Sequence, residues 1–371
     1  MKNRRWALVL LMLSCFLFES ISAEEIETLQ IGDRAPGFRL PGIDSRDYQL
    51  SDFADSKILV VIFTCNHCPT AQAYEDRILQ LVEDYGGRGV SFVGISPNDP
   101  KSVRLDELGY SDVSDSFEEM KLRAEEKRFN FPYLYDGNTQ TASRKYGPTA
   151  TPHVFVFDAD RILRYRGRID DSENGENIQS RDLSNALEAL LAGAEITVRT
   201  TRPFGCSIKW ADKRDSVARA QEKWAAEKVS LEPVDAKGLQ QIVANSSDNL
   251  RLVNLWATWC GPCIVEFPEL VDINRMYRNR NFEFISVSAD DPDQDKEVLA
   301  FLRKQQASNR NVHFSSLDRD ALVESTDPDW NGALPHTLLI KPGGEVIFRH
   351  TGEVNTLELK RAIVGYLGRT Y

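Results

Sequence analysis

Residues 251–263 read Arg-Leu-Val-Asn-Leu-Trp-Ala-Thr-Trp-Cys-Gly-Pro-Cys, and Ile264 to Tyr277 follow with helical periodicity. The run 251–257 is short, apolar and rich in strand formers, which is the pattern of a buried strand. Cys260 and Cys263 therefore fall where a strand ends and a helix begins. Unpaired N–H groups and the positive end of a helix stabilise a thiolate there, and the thiolate is the nucleophile. Cys260 is placed to attack a disulfide. Cys263, one turn deeper, is placed to attack the resulting mixed disulfide and release the product. Downstream, the spacing predicts strands over 282–287, 312–316, 337–340 and 345–350 and helices over 296–305 and 356–367, with Gly343-Gly344 turning the last hairpin.

The first half repeats this pattern. A strand over 57–64 runs into Cys65-Asn66-His67-Cys68-Pro69 and a helix over 71–85. A strand over 90–96, a charged helix over 117–127, a strand over 131–136 and a short helix ending at Tyr146 follow. Thr151-Pro152-His153 then opens a strand, as Leu334-Pro335-His336-Thr337 does in the second half. The first cysteine of the pair precedes this proline by 87 residues in one half and 75 in the other, so two copies of one architecture are expected. His153 and His336 either line a groove beside the proline or are strand-start histidines without a catalytic role. His313 and His350 sit in strand patterns and carry no functional weight.

The stretch Val-Asn-Leu-Trp-Ala-Thr-Trp-Cys-Gly-Pro-Cys-Ile-Val-Glu-Phe-Pro, with Leu334-Pro335-His336-Thr337, resembles the exported TlpA/ResA-like branch of thioredoxin-fold proteins over residues ~230–371. Ile31-Gly32-Asp33-Arg34-Ala35-Pro36-Gly37-Phe38-Arg39-Leu40, upstream of Cys-Asn-His-Cys-Pro, is similar to the opening of the AhpC/TSA (redoxin) family, a likeness covering residues ~30–228. The resemblance implies an α/β chain of two thioredoxin-like domains, each a central mixed β-sheet flanked by helices. It also implies that Pro152 and Pro335 are cis, face the cysteines and present backbone for substrate pairing. Trp259 joins them as a substrate-binding candidate.

Two departures from these families matter. Ordinary thioredoxins bury an Asp beneath the cysteine pair, whereas this chain has Asn254, which cannot exchange a proton. Glu266, three residues after Cys263, is the nearest replacement acid, unless it is a solvated carboxylate of a first helical turn. Peroxiredoxins set their cysteine in Pro-x-x-x-Thr-x-x-Cys. Here Ile62 stands three residues before Cys65, and Cys65 itself three before Cys68, so a peroxidase lacks its own motif. His67 is expected to stabilise the Cys65 thiolate and with it the reduced form, unless it merely packs or faces solvent. That would make the first site the more oxidising and Cys-Gly-Pro-Cys the stronger reductant.

A helix over 182–191 precedes Gly205-Cys206-Ser207-Ile208-Lys209-Trp210 and a charged amphipathic helix over 216–228. The Gly-Cys-Ser-Ile-Lys-Trp stretch resembles the tail of CNHCP-type redoxins. The expected division is a signal peptide over 1–23, a redoxin-like domain with its extension over 24–228, and a TlpA/ResA-like domain over 229–371. Cys206 makes the cysteine count of the exported chain odd. It is a candidate resolving thiol toward Cys65 or Cys68, or a small buried residue.

At 371 residues the prior is two domains, and 42% hydrophobic with 27% charged residues is ordinary for a folded soluble chain. A net charge of −11 offers no basic surplus for phosphates, which argues against a nucleic-acid partner. Two C-x-x-C pairs could supply four zinc ligands, but zinc ribbons space the pairs ~15–20 residues apart. Cys68 and Cys260 are 192 positions apart, so neither a metal nor another cofactor is expected. Lys2, Arg4 and Arg5, the apolar run Trp6–Phe18 and the small-residue exit Ser20–Ala23 read as a secretory signal cleaved near Ser22 or Ala23. Losing its three cations and one anion takes the charge from −11 to −13. Met12-Leu13-Ser14-Cys15 is a poor match to a lipoprotein box, and an uncleaved anchor is the alternative. No later segment approaches the ~20 apolar residues of a membrane span.

The expectation is an exported, periplasmic thiol-disulfide oxidoreductase acting on protein or small-molecule disulfides. An upstream membrane or periplasmic thiol reductant would supply electrons, passed from the second site to the first. One alternative is a thiol peroxidase, acting on peroxides and recycled by the fused second domain. The other is a non-catalytic first domain whose groove holds a peptide.

Overall fold

A computed structural model describes residues 26–371; the signal-peptide reading and Cys15 lie outside the described residues. The first half opens with an antiparallel ribbon, β1 (Arg39–Pro41) and β2 (Asp47–Gln49). Then follow β3 (Ile58–Phe63), α1 (Pro69–Gly86), β4 (Val90–Ser96), α2 (Phe117–Lys127), β5 (Tyr133–Tyr135), α3 (Thr141–Tyr146), β6 (His153–Phe157), β7 (Leu163–Gly167) and α4 (Asp182–Leu191). These strands form a five-stranded sheet in the order β5-β4-β3-β6-β7. The β3–β4 and β4–β5 pairs are parallel, while β3–β6 and β6–β7 are antiparallel.

After α5 (Arg214–Ala225) come β8 (Glu232–Val234), α6 (Ala236–Ala244), β9 (Leu250–Trp256), α7 (Gly261–Tyr277) and β10 (Phe282–Ser288). The chain continues through α8 (Asp295–Lys304), β11 (Arg310–Phe314), α9 (Arg319–Thr326), β12 (His336–Ile340), β13 (Val346–Thr351) and α10 (Thr356–Leu367). The second sheet has six strands in the order β13-β12-β9-β10-β11-β8, again parallel on one side of its central strand and antiparallel on the other. Both halves are therefore the central mixed sheets flanked by helices that the sequence implied.

The central strands are apolar throughout because both of their faces are covered. In β3, Ile58, Val60 and Ile62 pack with Tyr74, Ile78 and Leu81 of α1, while Leu59, Val61 and Phe63 pack with Phe38, Tyr146 and Phe155 on the opposite face. In β9, Leu250 and Leu252 meet Leu270 and Ile273 of α7, and Val253 and Leu255 meet Leu239 and Ile242 of α6. The period-two alternation of a strand divides each half into these two core layers.

A buried ion pair fixes α2 against α1: the Arg123 guanidinium donates to both Glu75 carboxylate oxygens at 2.9 and 2.6 Å. It holds residues 114–116, just ahead of α2, over the start of α1. Replacing Arg123 with Ala leaves the buried Glu75 with only the more distant Lys127 ammonium at 3.9 Å, and is expected to cost about 3 kcal/mol of unfolding free energy at pH 7. Urea denaturation of the full chain measures it; a midpoint unmoved from wild type would count against the clamp.

The halves also touch. The Tyr277 hydroxyl donates to the Ser111 carbonyl at 2.7 Å, Leu108 packs in the α7–α10 core, and Arg361 and Arg369 both pair with the buried Asp112.

Candidate active sites

In the second half, Cys260 is the N-cap of α7, and its Sγ accepts the Cys263 N–H at 3.4 Å. Pro262 is tolerated in the first turn because its missing N–H would have no helical partner there. Cys260 and Cys263 form a disulfide, the Leu334–Pro335 peptide is cis, and Leu334 packs against the two sulfurs' cluster. Both cysteines are covered, Cys260 being 5% exposed. Trp259, 61% exposed, lies beneath the Arg319 guanidinium and rims a cleft of about 390 Å³ together with Trp330 and Leu334.

Glu266 is buried, which disposes of the solvated alternative. Its two carboxylate oxygens accept the Asn254 side-chain amide and the Val354 N–H, each at 2.9 Å, and Asn254 also donates to the Thr337 hydroxyl at 3.0 Å. Burial pushes the carboxyl pKa of Glu266 up despite these two hydrogen bonds. His336 does not line a groove. It is buried, stacked on Trp330 and hydrogen-bonded to Asp327 and Thr351, and burial pushes its pKa down.

The first half departs from expectation in its register. The N-cap of α1 is Cys68, not Cys65, and Pro69 occupies the first helical position. The Cys68 Sγ accepts the Ala71 N–H at 3.4 Å, the same contact that Cys260 accepts from Cys263. Position by position, Cys68 is thus the counterpart of Cys260, and Ala71 stands where Cys263 stands. Cys65 lies upstream in the loop, its Sγ 3.2 Å from the Thr151 hydroxyl and 3.7 Å from His67 Nδ1.

The anion follows the helix. Burial pushes the Cys65 thiol well up, and its hydrogen bond to Cys68 pushes it further. Burial opposes ionisation of Cys68 too, but hydrogen bonds from Cys206, Cys65 and the Ala71 amide, with the charge of His67, bring that thiol well down. The negative charge expected at Cys65 is therefore favoured at Cys68 instead, on a sulfur that is buried rather than exposed.

The sequence reading missed Asp115. Its Oδ2 lies 2.6 Å from His67 Nδ1 and accepts from Asn98 at 2.7 Å, while Oδ1 accepts the Asn66 and His67 N–H groups at 2.9 and 3.0 Å. Burial alone would favour neutral imidazole, but the adjacent carboxylate outweighs it and raises the His67 pKa. Asp115 is correspondingly lowered, chiefly by the His67 charge acting against its own burial. His67 thus neither merely packs nor faces solvent: it is buried against Asp115, which favours its charged form, and that charge favours ionisation of Cys68. The one local signal for Asp115 was the Ser114-Asp115-Ser116 cluster ahead of a helix.

Cys65 Sγ, His67 Nδ1 and an Asp115 oxygen lie within 4.8 Å of one another and are transition-metal ligand types. The Asp115 oxygens already accept four hydrogen bonds, so a metal here would have to displace the His67–Asp115 contact. The Thr151–Pro152 peptide is cis, with the Thr151 carbonyl oxygen 3.3 Å from the Cys68 sulfur. His153 is buried against Phe155, accepts the Thr149 N–H and is pushed down to about 3 by burial, so it too packs rather than lines a groove.

Residues 31–166 match the AhpC/TSA family and residues 229–363 the Redoxin family. The two matches lie in tandem, one in each half of the chain. Among curated proteins it is similar to the thiol-disulfide oxidoreductase ResA of Oceanobacillus iheyensis, 32% identical over 95 residues, 26% of this chain and 45% of that one. It is also similar to the thiol:disulfide interchange protein HelX of Rhodobacter capsulatus, 29% identical over 126 residues, 33% of this chain and 64% of that one. The chain therefore spans less than two thirds of either relative's length. Among solved structures, an uncharacterized conserved protein from Geobacillus kaustophilus aligns at 38% identity over 92% of its length and 49% of this chain, with a TM-score of 0.44. Among the described residues no helix is long and apolar enough to cross a membrane.

Proposed function

We propose that this is an exported thiol-disulfide oxidoreductase that exchanges electrons at both cysteine sites. One observation carries the reading. In each half a cysteine sulfur caps the helix after the central strand and accepts the N–H three residues on, with a cis-proline opening the antiparallel strand beside it. The likeness to ResA and HelX supports it.

At the second site, the Cys260 thiolate attacks a protein or small-molecule disulfide, and one substrate sulfur leaves as thiolate. Cys263 passes its proton to Glu266 and attacks the Cys260 sulfur, and the second substrate thiolate leaves. Two cysteine sulfurs are oxidised and one substrate disulfide is reduced. Trp259 and the backbone beside Pro335 line the surface on which such a substrate would lie. At the first site Cys68 is the nucleophile, and a neighbouring thiol, Cys65 in the C-x-x-C reading, closes the mixed disulfide beside Pro152.

Electrons passing from the second site to the first remain part of the proposal; carrying both sites on one chain raises the effective concentration of each at the other.

Reduction of insulin disulfides by dithiothreitol tests the activity. The full chain should accelerate it, and Cys260→Ser should lower that acceleration at least about tenfold. No acceleration by wild type would overturn the proposal. Consumption of hydrogen peroxide at Cys68 without insulin reduction would replace it with the peroxidase reading.

A further inference from the structure

The segment around Cys206 lies against the first site as an added strand. Phe204 packs on Tyr74 of α1, and Cys206 forms an antiparallel bridge with Thr151, whose N–H donates to the Cys206 carbonyl at 3.0 Å. Gly205 makes the approach possible: its φ is +137°, and a Cβ there would sit 2.0 Å from the Thr151 carbonyl oxygen. The bridge brings the Cys206 N–H to 3.3 Å from the Cys68 sulfur. Thr151 is the peptide ahead of cis-Pro152, an edge on which an extended polypeptide would pair by strand addition. Here the chain's own residue 206 fills that edge. No described residue pairs with the Leu334 peptide in the second half.

Two thiols flank Cys68, and they differ in freedom. The loop carrying Cys65 is pinned because Asp115 accepts both the Asn66 and the His67 N–H. Cys65 is also buried. Cys206 is half-buried and comes from a segment joined to the site by the Thr151 bridge. Its backbone N–H donates to the Cys68 sulfur, and the proximity of the two thiols pushes the pKa of Cys206 up and that of Cys68 down.

Resting on the reading of Cys68 as nucleophile, we propose that Cys206 is its built-in disulfide partner, and that the first site serves small disulfides rather than extended polypeptides. The Cys68 thiolate attacks a disulfide RSSR, forming Cys68–S–S–R and releasing RS⁻. Cys206 loses its proton and attacks the Cys68 sulfur, forming Cys68–Cys206 and releasing the second RS⁻. The two leaving thiolates take up the Cys206 proton and one from solvent. Two cysteine sulfurs are oxidised and RSSR is reduced to two RSH.

Oxidised glutathione is the probe. The fully reduced full chain is titrated with it, acid-quenched, alkylated and peptide-mapped without reduction. Wild type and Cys65→Ala should both yield the Cys68–Cys206 peptide pair. In the Cys65→Ala,Cys206→Ala double variant the glutathione adduct on Cys68 should accumulate at least tenfold over wild type. If Cys65→Ala instead holds glutathione on Cys68 with Cys206 alkylated, or wild type yields only Cys65–Cys68, the partner assignment is overturned while the oxidoreductase reading at this site stands. If Cys68 remains alkylatable and unadducted in every variant, the reading of this site as an exchange centre falls with it.

Discussion

Replacing Asp115 with Asn is expected to slow alkylation of Cys68 at pH 6 by roughly ten- to a thousandfold, because a nearby opposite charge is worth about 1–3 pKa units to an ionisable group. The effect is relayed. Asp115 does not face the Cys68 sulfur; it holds the proton on His67, whose own burial would otherwise expel it. Without the carboxylate, burial pushes the His67 pKa down, and Cys68 loses part of the charge that helps bring its thiol well down against burial. The measurement is the iodoacetamide rate at Cys68 against pH, read by mass spectrometry. Wild-type and Asp115→Asn profiles that coincide would sink the relay. Fold loss is separable, since Asn still offers an oxygen to the Asn66 and His67 amides. The pair also shapes stability. The contribution of His67, whose folded pKa is raised, is complete below its ordinary 6.5 and is lost as pH rises through the raised value. That of Asp115, which is lowered, is complete above its ordinary 3.8 and is lost as pH falls through the lowered value. The stability gap between wild type and Asp115→Asn should be widest between those two ordinary values and narrow on either side.

The strand–cysteine–helix units were legible because each is a local pattern: an apolar run buried on both faces, then a cap, then helical periodicity. The cis-prolines were legible through the Thr-Pro-His and Leu-Pro-His strand openings. The helix start at Cys68 was also written in the sequence. Proline follows Cys68 directly but falls between Cys260 and Cys263, and proline favours the first helical turn. Reading both C-x-x-C pairs in one register hid this. Asp115 was hidden for a different reason: it reaches His67 across 48 positions through the packing of α2 on α1. The strand pairing of β8 and β7 was missed likewise. Glu-Pro-Val is too short to show periodicity, and Leu-Arg-Tyr-Arg-Gly reads as polar because Arg164 and Arg166 alternate with its buried residues on an edge strand.

Glu266→Gln should slow turnover of the second site by roughly 10²–10⁴-fold, the usual worth of a positioned proton donor or acceptor. A buried carboxyl with a raised pKa holds its proton to higher pH than a solvated one, and in the proposed role it delivers that proton when the Cys260–Cys263 disulfide is reduced and Cys263 must leave. In the opposite direction it takes the Cys263 proton as the disulfide closes. Gln keeps the shape but neither exchanges a proton nor offers two acceptors. Either Asn254 or Val354 loses its partner, a cost of about 1–3 kcal/mol that urea denaturation of the same variant reports separately. The distinguishing readout is the pH dependence of the rate of disulfide reduction. A proton donor leaves an inflection, above the ordinary glutamate value because burial raises it, and Glu266→Gln should flatten that inflection as well as lower the rate. A variant slowed at all pH values with the inflection intact would assign Glu266 to the fold alone, as a carboxylate that ties α7 through Asn254 and Val354 to the strands around the disulfide.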